Sequence, residues 1–379
     1  MDLYTKTIEL SPIVYKDPDL KKKKKDSSSK SGLVLKPIAT KDPRIGTLDL
    51  ETFNDILPNG EILARVYALG FATENQTKMY YLTDHFSNTT EGSNRLVLKC
   101  IEDIFQSIES MDGYTFYVHN LGKFDAIFRH KILIDFNSQV NDIAEEYGIK
   151  PMYRDGQIIK LEISKYVNKK VIKIKLVDSL NILNNSLDRL CSDFGLNTKK
   201  GIFPYKFVNK KNLNYIGPTP DIKFYNKNVN LDLYNENKKH NWSLKEESLN
   251  YLKLDLQSLL EVILKFQEIL WEDHKIELTK GLTIASLAKT KFLKYYLKKS
   301  LIPLINNNNL FQFIFGGYFG GNTEVYKPLA HFWTYLDVNS LYPFAALNPM
   351  PGLVCKWVES YNSEGLDLDS LFGIFHARV

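Results

Sequence analysis

Arg44-Ile45-Gly46-Thr47-Leu48-Asp49-Leu50-Glu51-Thr52, followed after Pro58-Asn59-Gly60 by Ile62-Leu63-Ala64-Arg65-Val66-Tyr67-Ala68, is the stretch whose reading decides the fold. Ile45, Leu48 and Leu50 mark one strand, Ile62, Ala64, Val66 and Ala68 alternate along a second, and the turn residues between them predict a hairpin. Asp49 and Glu51 lie two residues apart on the first strand, so both carboxylates leave it on one face. A third strand is expected over Met79 to Leu82. Leu96, Ile101, Ile104, Phe105 and Ile108 recur at helical spacing, and Tyr114 to Val118 returns to strand character. Three antiparallel strands, a helix and another strand form the opening order of a ribonuclease H-like α/β fold.

Further along, Ile158, Leu161 and Ile163 are mirrored by Val171, Ile172, Ile174 and Leu176 across Asn168-Lys169, which predicts a second hairpin. Ser186 is expected to open a short helix that Gly195 ends. Residues 206 to 240, rich in Asn and Lys without a clear period, read as loop. Ser243 and Glu246 form a capping box in front of Leu252, Leu256, Leu259, Ile263 and Phe266, the apolar face of a long helix. A further helix is expected near Leu282 to Leu297, and Asn306 to Asn309 reads as a loop. Close to the end, Phe332 to Leu336 reads as a strand delivering Asp337 to a turn before Pro343, a good place for a divalent cation.

Composition sets bounds on function. The 379 residues suffice for two domains, and 44% hydrophobic with 25% charged residues is ordinary for a soluble globular protein. A net charge of +5 favours a polyanion partner only weakly. Cys100, Cys191 and Cys355 form no Cys-x-x-Cys pair, which predicts a reducing compartment and argues against a zinc site. No apolar run reaches a bilayer's thickness, so no membrane role is expected. The first 40 residues hold Lys21 to Lys25 followed by a Ser/Gly-rich run, predicting a mobile basic tail. With no Arg before Arg44, they do not resemble a mitochondrial transit peptide.

Three acidic clusters stand in order along the chain: Asp49-Leu50-Glu51; Asn120-Leu121-Gly122-Lys123-Phe124-Asp125; and Tyr251-Leu252-Lys253-Leu254-Asp255. Carboxylates converging from such distant positions would repel one another unless cations lay between them, so a pair of divalent ions is the natural occupant. The clusters resemble, in sequence and order, the three exonuclease motifs of family B DNA polymerases. Tyr335-Leu336-Asp337-Val338-Asn339-Ser340-Leu341-Tyr342-Pro343 resembles that family's first palm motif, in the form used by the protein-primed enzymes of phages, adenoviruses and fungal mitochondrial linear plasmids.

The resemblance implies a 3′-5′ exonuclease that uses two Mg2+ (or Mn2+) ions held by Asp49, Glu51, Asp125 and Asp255, with Tyr251 positioning the attacking water. Thr52, Asn120, Phe124, Ser179 and Leu180 match positions that hold a single-stranded 3′ end. Lys200, with Gly201 and Tyr205, matches a catalytic-lysine segment. Tyr318, Gly320 and Gly321 match a Tyr-x-Gly-Gly connector that guides the primer end, Asp337 a polymerase metal ligand, and Tyr342 the residue that excludes a ribose 2′ hydroxyl. The implied domains are a tail (1–40), an exonuclease domain (41–275), a connector (276–330) and an incomplete palm (331–379). Only 42 residues follow Asp337, and they contain no later palm motif, so a truncated frame or a fragment without polymerisation is expected. Implied partners are single-stranded and primer-template DNA, deoxynucleotides in a complete enzyme and a terminal protein primer. The expected state is a monomer, and the expected site a mitochondrion, with cytoplasm or virus as alternatives. A stand-alone exonuclease or a non-catalytic DNA-binding remnant remain the competing readings.

Overall fold

The computed structural model describes residues 4–12, 14–15, 34–35, 41–107, 111–121, 125–196, 202–226, 229, 231–296, 303–319, 321, 324, 327–329, 331–332, 334, 336–350, 352, 354–359, 367 and 372–376, and at 125–130 and some strand positions the backbone alone. The chain divides into two units, Ile38–Lys291 and a second composed of Met1–Pro37 with Phe292–Val379.

The larger unit is built on a seven-stranded mixed sheet. Strands β1 (Ile45–Ile56), β2 (Ile62–Thr73) and β3 (Thr77–Tyr81) form an antiparallel meander. Helix α1 (Thr90–Phe105) follows, capped by the Thr89 side chain accepting from the Gly92 amide, and buries Leu96, Val97, Cys100, Ile101, Ile104 and Phe105. Strand β4 (Thr115–Val118) lies parallel to β1, and helix α2 (Asp125–Asn137) leads away from it. Strands β5 (Gly148–Arg154), β6 (Gln157–Val167) and β7 (Lys170–Asp178) complete the sheet, with β7 parallel to β4. The spatial order is β3-β2-β1-β4-β7-β6-β5. Its first five strands have the ribonuclease H-like arrangement expected from the sequence, and β5 and β6 extend the far edge.

Local chemistry accounts for most of these elements. Asn168 (φ 50°) and Lys169 (φ 64°) turn the β6–β7 hairpin, and Asp155 (φ 50°) and Gly156 (φ 75°) turn the β5–β6 hairpin; left-handed conformation at both central residues is what a two-residue hairpin turn demands. The second turn belongs to a strand the sequence hid, because β5 is a largely exposed edge strand containing Pro151 and shows no strong alternation. Helix α3 (Leu187–Asp193) begins at Ser186, which accepts from the Arg189 amide, and ends before Gly195 at φ 62°, as expected. Helix α4 (Leu244–His274) begins at the predicted cap, with the Ser243 hydroxyl accepting from the Glu246 amide at 3.4 Å.

Helix α4 carries Leu252, Leu256, Leu259 and Ile263 into the core against β1, β2 and β3. Each such side chain contributes roughly 1.5–3 kcal/mol on burial. Contact is close because Gly70 on β2 has no side chain: a Cβ there would stand 2.7 Å from the Lys78 carbonyl oxygen and 3.1 Å from Leu256. Glu277, 1% exposed, ties the chain beyond α4 back to the start of β1. Its carboxylate accepts from the Asp42 amide at 2.7 Å, from the Thr279 amide and hydroxyl at 3.2 and 3.1 Å, and from Gln267 at 3.3 Å.

One expectation for the larger unit is corrected. Residues 206 to 240 are not plain loop: Phe207 meets Tyr215 at 4.9 Å, Phe224 at 5.2 Å and Trp242 at 6.0 Å between ring centroids, and a helix spans Leu231–Glu236. Scattered aromatics, rather than a period, hold this segment together.

Within the second unit, the expected basic tail contributes structure: Tyr4–Glu9 pairs antiparallel with Val354–Glu359, and Ser11–Pro12 with Pro303–Leu304. Lys21 to Lys25 lie outside the described residues. Asn308 and Asn309 open a helix, Asn308–Gly316, because the Asn307 side chain accepts from the Asn309 and Leu310 amides; the expected loop there is a helix cap. The strand expected over Phe332 to Leu336 is absent among the described residues. Phe332 and Leu336 are 98% and 87% exposed, and a strand without a neighbour has no ladder to stabilise it. No helix among the described residues is long and apolar enough to cross a membrane.

Two tests of this fold follow. Glu277→Ala orphans several buried donors and should lower unfolding free energy by about 3 kcal/mol in urea titrations. Glu102 on α1 is pushed up by burial, but bonds from Lys165 and the Tyr147 hydroxyl hold it, on balance, below its ordinary value. A carboxyl depressed in the folded state stabilises above its unfolded pKa and loses that contribution as pH falls through the folded one. Glu102→Gln should therefore narrow the stability difference between pH 7 and pH 3 in parallel denaturation curves.

Candidate active site

The parallel pairing of the three adjacent strands β1, β4 and β7 stops at one common end. In register, Thr47 of β1 faces Tyr117 of β4, and Val118 of β4 faces Asp178 of β7. Asp49, just past the last β1 residue paired with β4, and Asn120 and Leu180, just past the ends of β4 and β7, therefore gather at one common end, the end at which open α/β sheets place their ligands.

Thr47, Asp49 and Glu51 alternate onto the face that α4 covers. The buried Thr47 hydroxyl donates to the Leu256 carbonyl of α4 at 2.9 Å, which seats the helix with Asp255, the preceding residue, against that face. Carboxylate oxygens of Asp49, Glu51 and Asp255 lie within 4.8 Å of one another, all three groups half-buried. A register shift follows at once: Glu51 pairs with Ala68 but Thr52 with Val66, leaving Tyr67 as the extra residue of a bulge. Bulges re-aim side chains at such places. Tyr67, 1% exposed, has its phenol pushed well up by burial and by the nearby Glu51 charge.

Tyr251 lies one turn before Asp255 and is 4% exposed. Burial, then Asp255 and Tyr205, push its pKa far up, so it stays a neutral hydroxyl. Its oxygen accepts from the Tyr205 hydroxyl at 2.5 Å, and the ring leans on Phe203 at 5.2 Å. The phenol of Tyr205 is likewise raised, mainly by burial. Two stacked hydroxyls on aromatic supports thus stand beside the acidic group.

The single-strand residues expected from the sequence fall at the same edge in different states. Asn120 is half-buried in the left-handed region at φ 68°, and its amide donates to the Asp178 carboxylate at 3.1 Å. Leu180, half-buried, donates its amide to the same Asp178 oxygen at 3.0 Å. Ser179 is wholly buried: its hydroxyl lies 3.0 Å from His119 Nδ1 and 3.3 Å from the Val118 carbonyl oxygen. Through these contacts Ser179 joins two strand ends. Thr52 is half-buried beside Glu51. Asp125 is the first residue of α2, with only its backbone described, and Phe124, Lys200 and Gly320 lie outside the described residues.

Asp178 was missed by sequence reasoning. The available signal was an Asp ending a strand in front of a turn, where such a side chain binds the amide two residues on. In the second unit, Asp337, Tyr318 and Tyr342 are exposed, and the Tyr342 hydroxyl lies so near Gly321 that a Cβ there would meet it at 2.8 Å. Among the described residues, no metal-binding acidic group includes Asp337.

A family model described as DNA polymerase type B, organellar and viral, matches residues 108–379. A probable DNA polymerase of Podospora anserina is 39% identical, over 92% of this chain and 31% of its own length. One of Agaricus bitorquis is 37% identical, over 82% and 39%. The chain thus spans well under half the length of these relatives. Among solved structures, Phi29 DNA polymerase complexed with primer-template DNA and incoming nucleotide substrates aligns over 75% of this chain and 40% of its own, at 18% identity and a TM-score of 0.47. Matched by its family model over most of its length, the chain belongs to the organellar and viral type B DNA polymerases.

Proposed function

We propose that the larger unit is a metal-dependent 3′-5′ exonuclease acting on single-stranded DNA, the proofreading part of a protein-primed DNA polymerase. The observation that carries this is the convergence of Asp49, Glu51 and Asp255 from a strand and a helix some 200 residues apart in sequence. At an effective dielectric near 20, like charges this close repel by on the order of 3 kcal/mol per pair, which makes the group costly without a counter-charge. Its donors are hard carboxylate oxygens, the set that Mg2+ or Mn2+ takes. The three residues fit a divalent cation, and the reading adds Asp125 as a fourth carboxylate and a second ion. Bound there, such ions supply Lewis acidity toward the scissile phosphate and the attacking water.

The chain's own groups account for the rest. Hydrolysis joins a water oxygen to phosphorus and breaks the bond to the 3′ oxygen of the preceding nucleotide, which leaves protonated, releasing a nucleoside monophosphate. Tyr251, kept neutral and supported by Tyr205, orients the water through its hydroxyl. Asn120, Leu180, Thr52 and Phe124 hold the frayed end by amide, apolar and stacking contacts that suit any base. Lys200 offsets charge on the phosphate. In the longer polymerase, Asp337 takes part in binding the nucleotide's metal ions, Tyr342 excludes a ribose 2′ hydroxyl, and Tyr318, Gly320 and Gly321 guide the primer between sites. The family's organellar and viral character supports a mitochondrial linear element as the DNA copied, primed by a terminal protein.

The purified chain, given a 5′-labelled single strand and Mg2+, should shorten it from the 3′ end, and EDTA should abolish this. Asp49→Ala and Asp255→Ala should each slow cleavage by about 10³-fold, roughly 4 kcal/mol of barrier, while circular dichroism shows an unchanged fold. An intact strand with the unmutated chain, or full activity without Asp49, would sink the reading. Tyr251→Phe should lower kcat about tenfold and leave KM in place, as expected for a group that acts on the water and not on the strand.

A further inference from the structure

Between the ends of β4 and β7 lies a clasp centred on Asp178, a residue with no part in the chemistry just described. Asp178, 4% exposed, is the last residue of β7, and one oxygen of its carboxylate accepts both the Asn120 amide (3.1 Å) and the Leu180 amide (3.0 Å). Beside it, Ser179 and His119 join the same two strand ends through the 3.0 Å Oγ to Nδ1 contact. Asn120 sits at φ 68°, a conformation that costs most residues about 1 kcal/mol and that Asn tolerates better than others. Such a conformation persists only where its surroundings over-determine it, and the Asp178 bond to the Asn120 amide is the bond that does so here.

We infer that Asp178 is a positioning residue for the single-stranded end: one buried acceptor sets Asn120 and Leu180 at a common height at the sheet edge, so both meet the same nucleotide. The inference rests on the exonuclease reading and adds a residue to it that never touches DNA. Geometry supports the assignment. Both amides converge on one oxygen, whereas a residue serving only its own turn would bind Leu180 alone. Charge strengthens the two bonds but the geometry survives without it, since an amide oxygen also has lone pairs for two donors. Reach is required, because Asn120 belongs to the neighbouring strand.

Two substitutions in the full chain separate these requirements. Asp178→Asn keeps the acceptor in place. Asp178→Ser keeps a short acceptor able to serve Leu180 two residues on but unable to span to Asn120, so the local turn is preserved while the clasp is cut. Affinity for a 5′-fluorescein single-stranded oligonucleotide is read by anisotropy in EDTA, and kcat and KM are read in Mg2+. Asp178→Asn should stay within twofold of the unmutated chain. Asp178→Ser should bind about tenfold more weakly and raise KM by a similar factor with kcat nearly unchanged. On an Asn120→Ala background, the same Ser substitution should cost less than twofold further, because Asp178 acts largely through Asn120. Normal binding by Asp178→Ser, or losses that multiply on the Asn120→Ala background, overturns the inference and leaves the exonuclease standing. An unmutated chain that neither binds nor cuts the strand overturns the exonuclease reading, and the inference with it.

Discussion

The hydroxyl of Thr47 donating to the carbonyl of Leu256 is the contact on which the rest of the site depends. It fixes the longest helix of the larger unit against β1 at one rotational setting. Asp255 stands one residue before that carbonyl, and Asp49 two residues beyond that hydroxyl. Sliding the helix by one residue would turn Asp255 by about 100° and scatter the carboxylates. The same seating needs Gly70, whose missing side chain lets sheet and helix close to packing distance. Hydrophobic burial of Leu252, Leu256, Leu259 and Ile263 drives the association, and one buried hydrogen bond selects its register.

Around the acids, the protein replaces water with groups that cannot ionise at ordinary pH. Tyr67, Tyr251 and Tyr205 are all raised by burial first and by neighbouring carboxylates second. A phenol kept neutral remains a donor, and donors are what a cluster of anions and a phosphodiester require. The aromatic rings of Phe203, Tyr205 and Tyr251 pack on one another and hold the hydroxyls in place. Rigid rings thereby set neutral hydroxyls beside a set of like charges.

The smaller unit behaves differently, and for a physical reason. Its strands are short pairs, two residues long at Ser11–Pro12 and at Pro303–Leu304, and many of its large apolar side chains, Phe332, Leu336 and Tyr342 among them, are exposed. Among the described residues at 332–336, apolar strand character produces no strand. Side-chain pattern states a preference; backbone hydrogen bonding across to a partner turns the preference into structure.

Much of this protein was legible in the order of its residues because the relevant forces are local. The positive-φ turn at Asn168-Lys169, the Ser243 and Ser186 caps, the Gly195 stop and the alternation along β1 and β2 each involve neighbours within a few positions, so composition and spacing determine them. The acids, too, were legible as motifs, since Asp49, Glu51 and Asp255 stand in recognisable company. Sequence alone could not say that Ser179 would be enclosed, that Asp178 would join two strands, that scattered aromatics would hold together residues 206 to 240, or that the first residues of the chain would pair with Val354–Glu359. Those outcomes depend on which distant segments meet, and only tertiary packing decides that, because a buried hydrogen bond or ring contact gains its strength from partners the local chain does not contain.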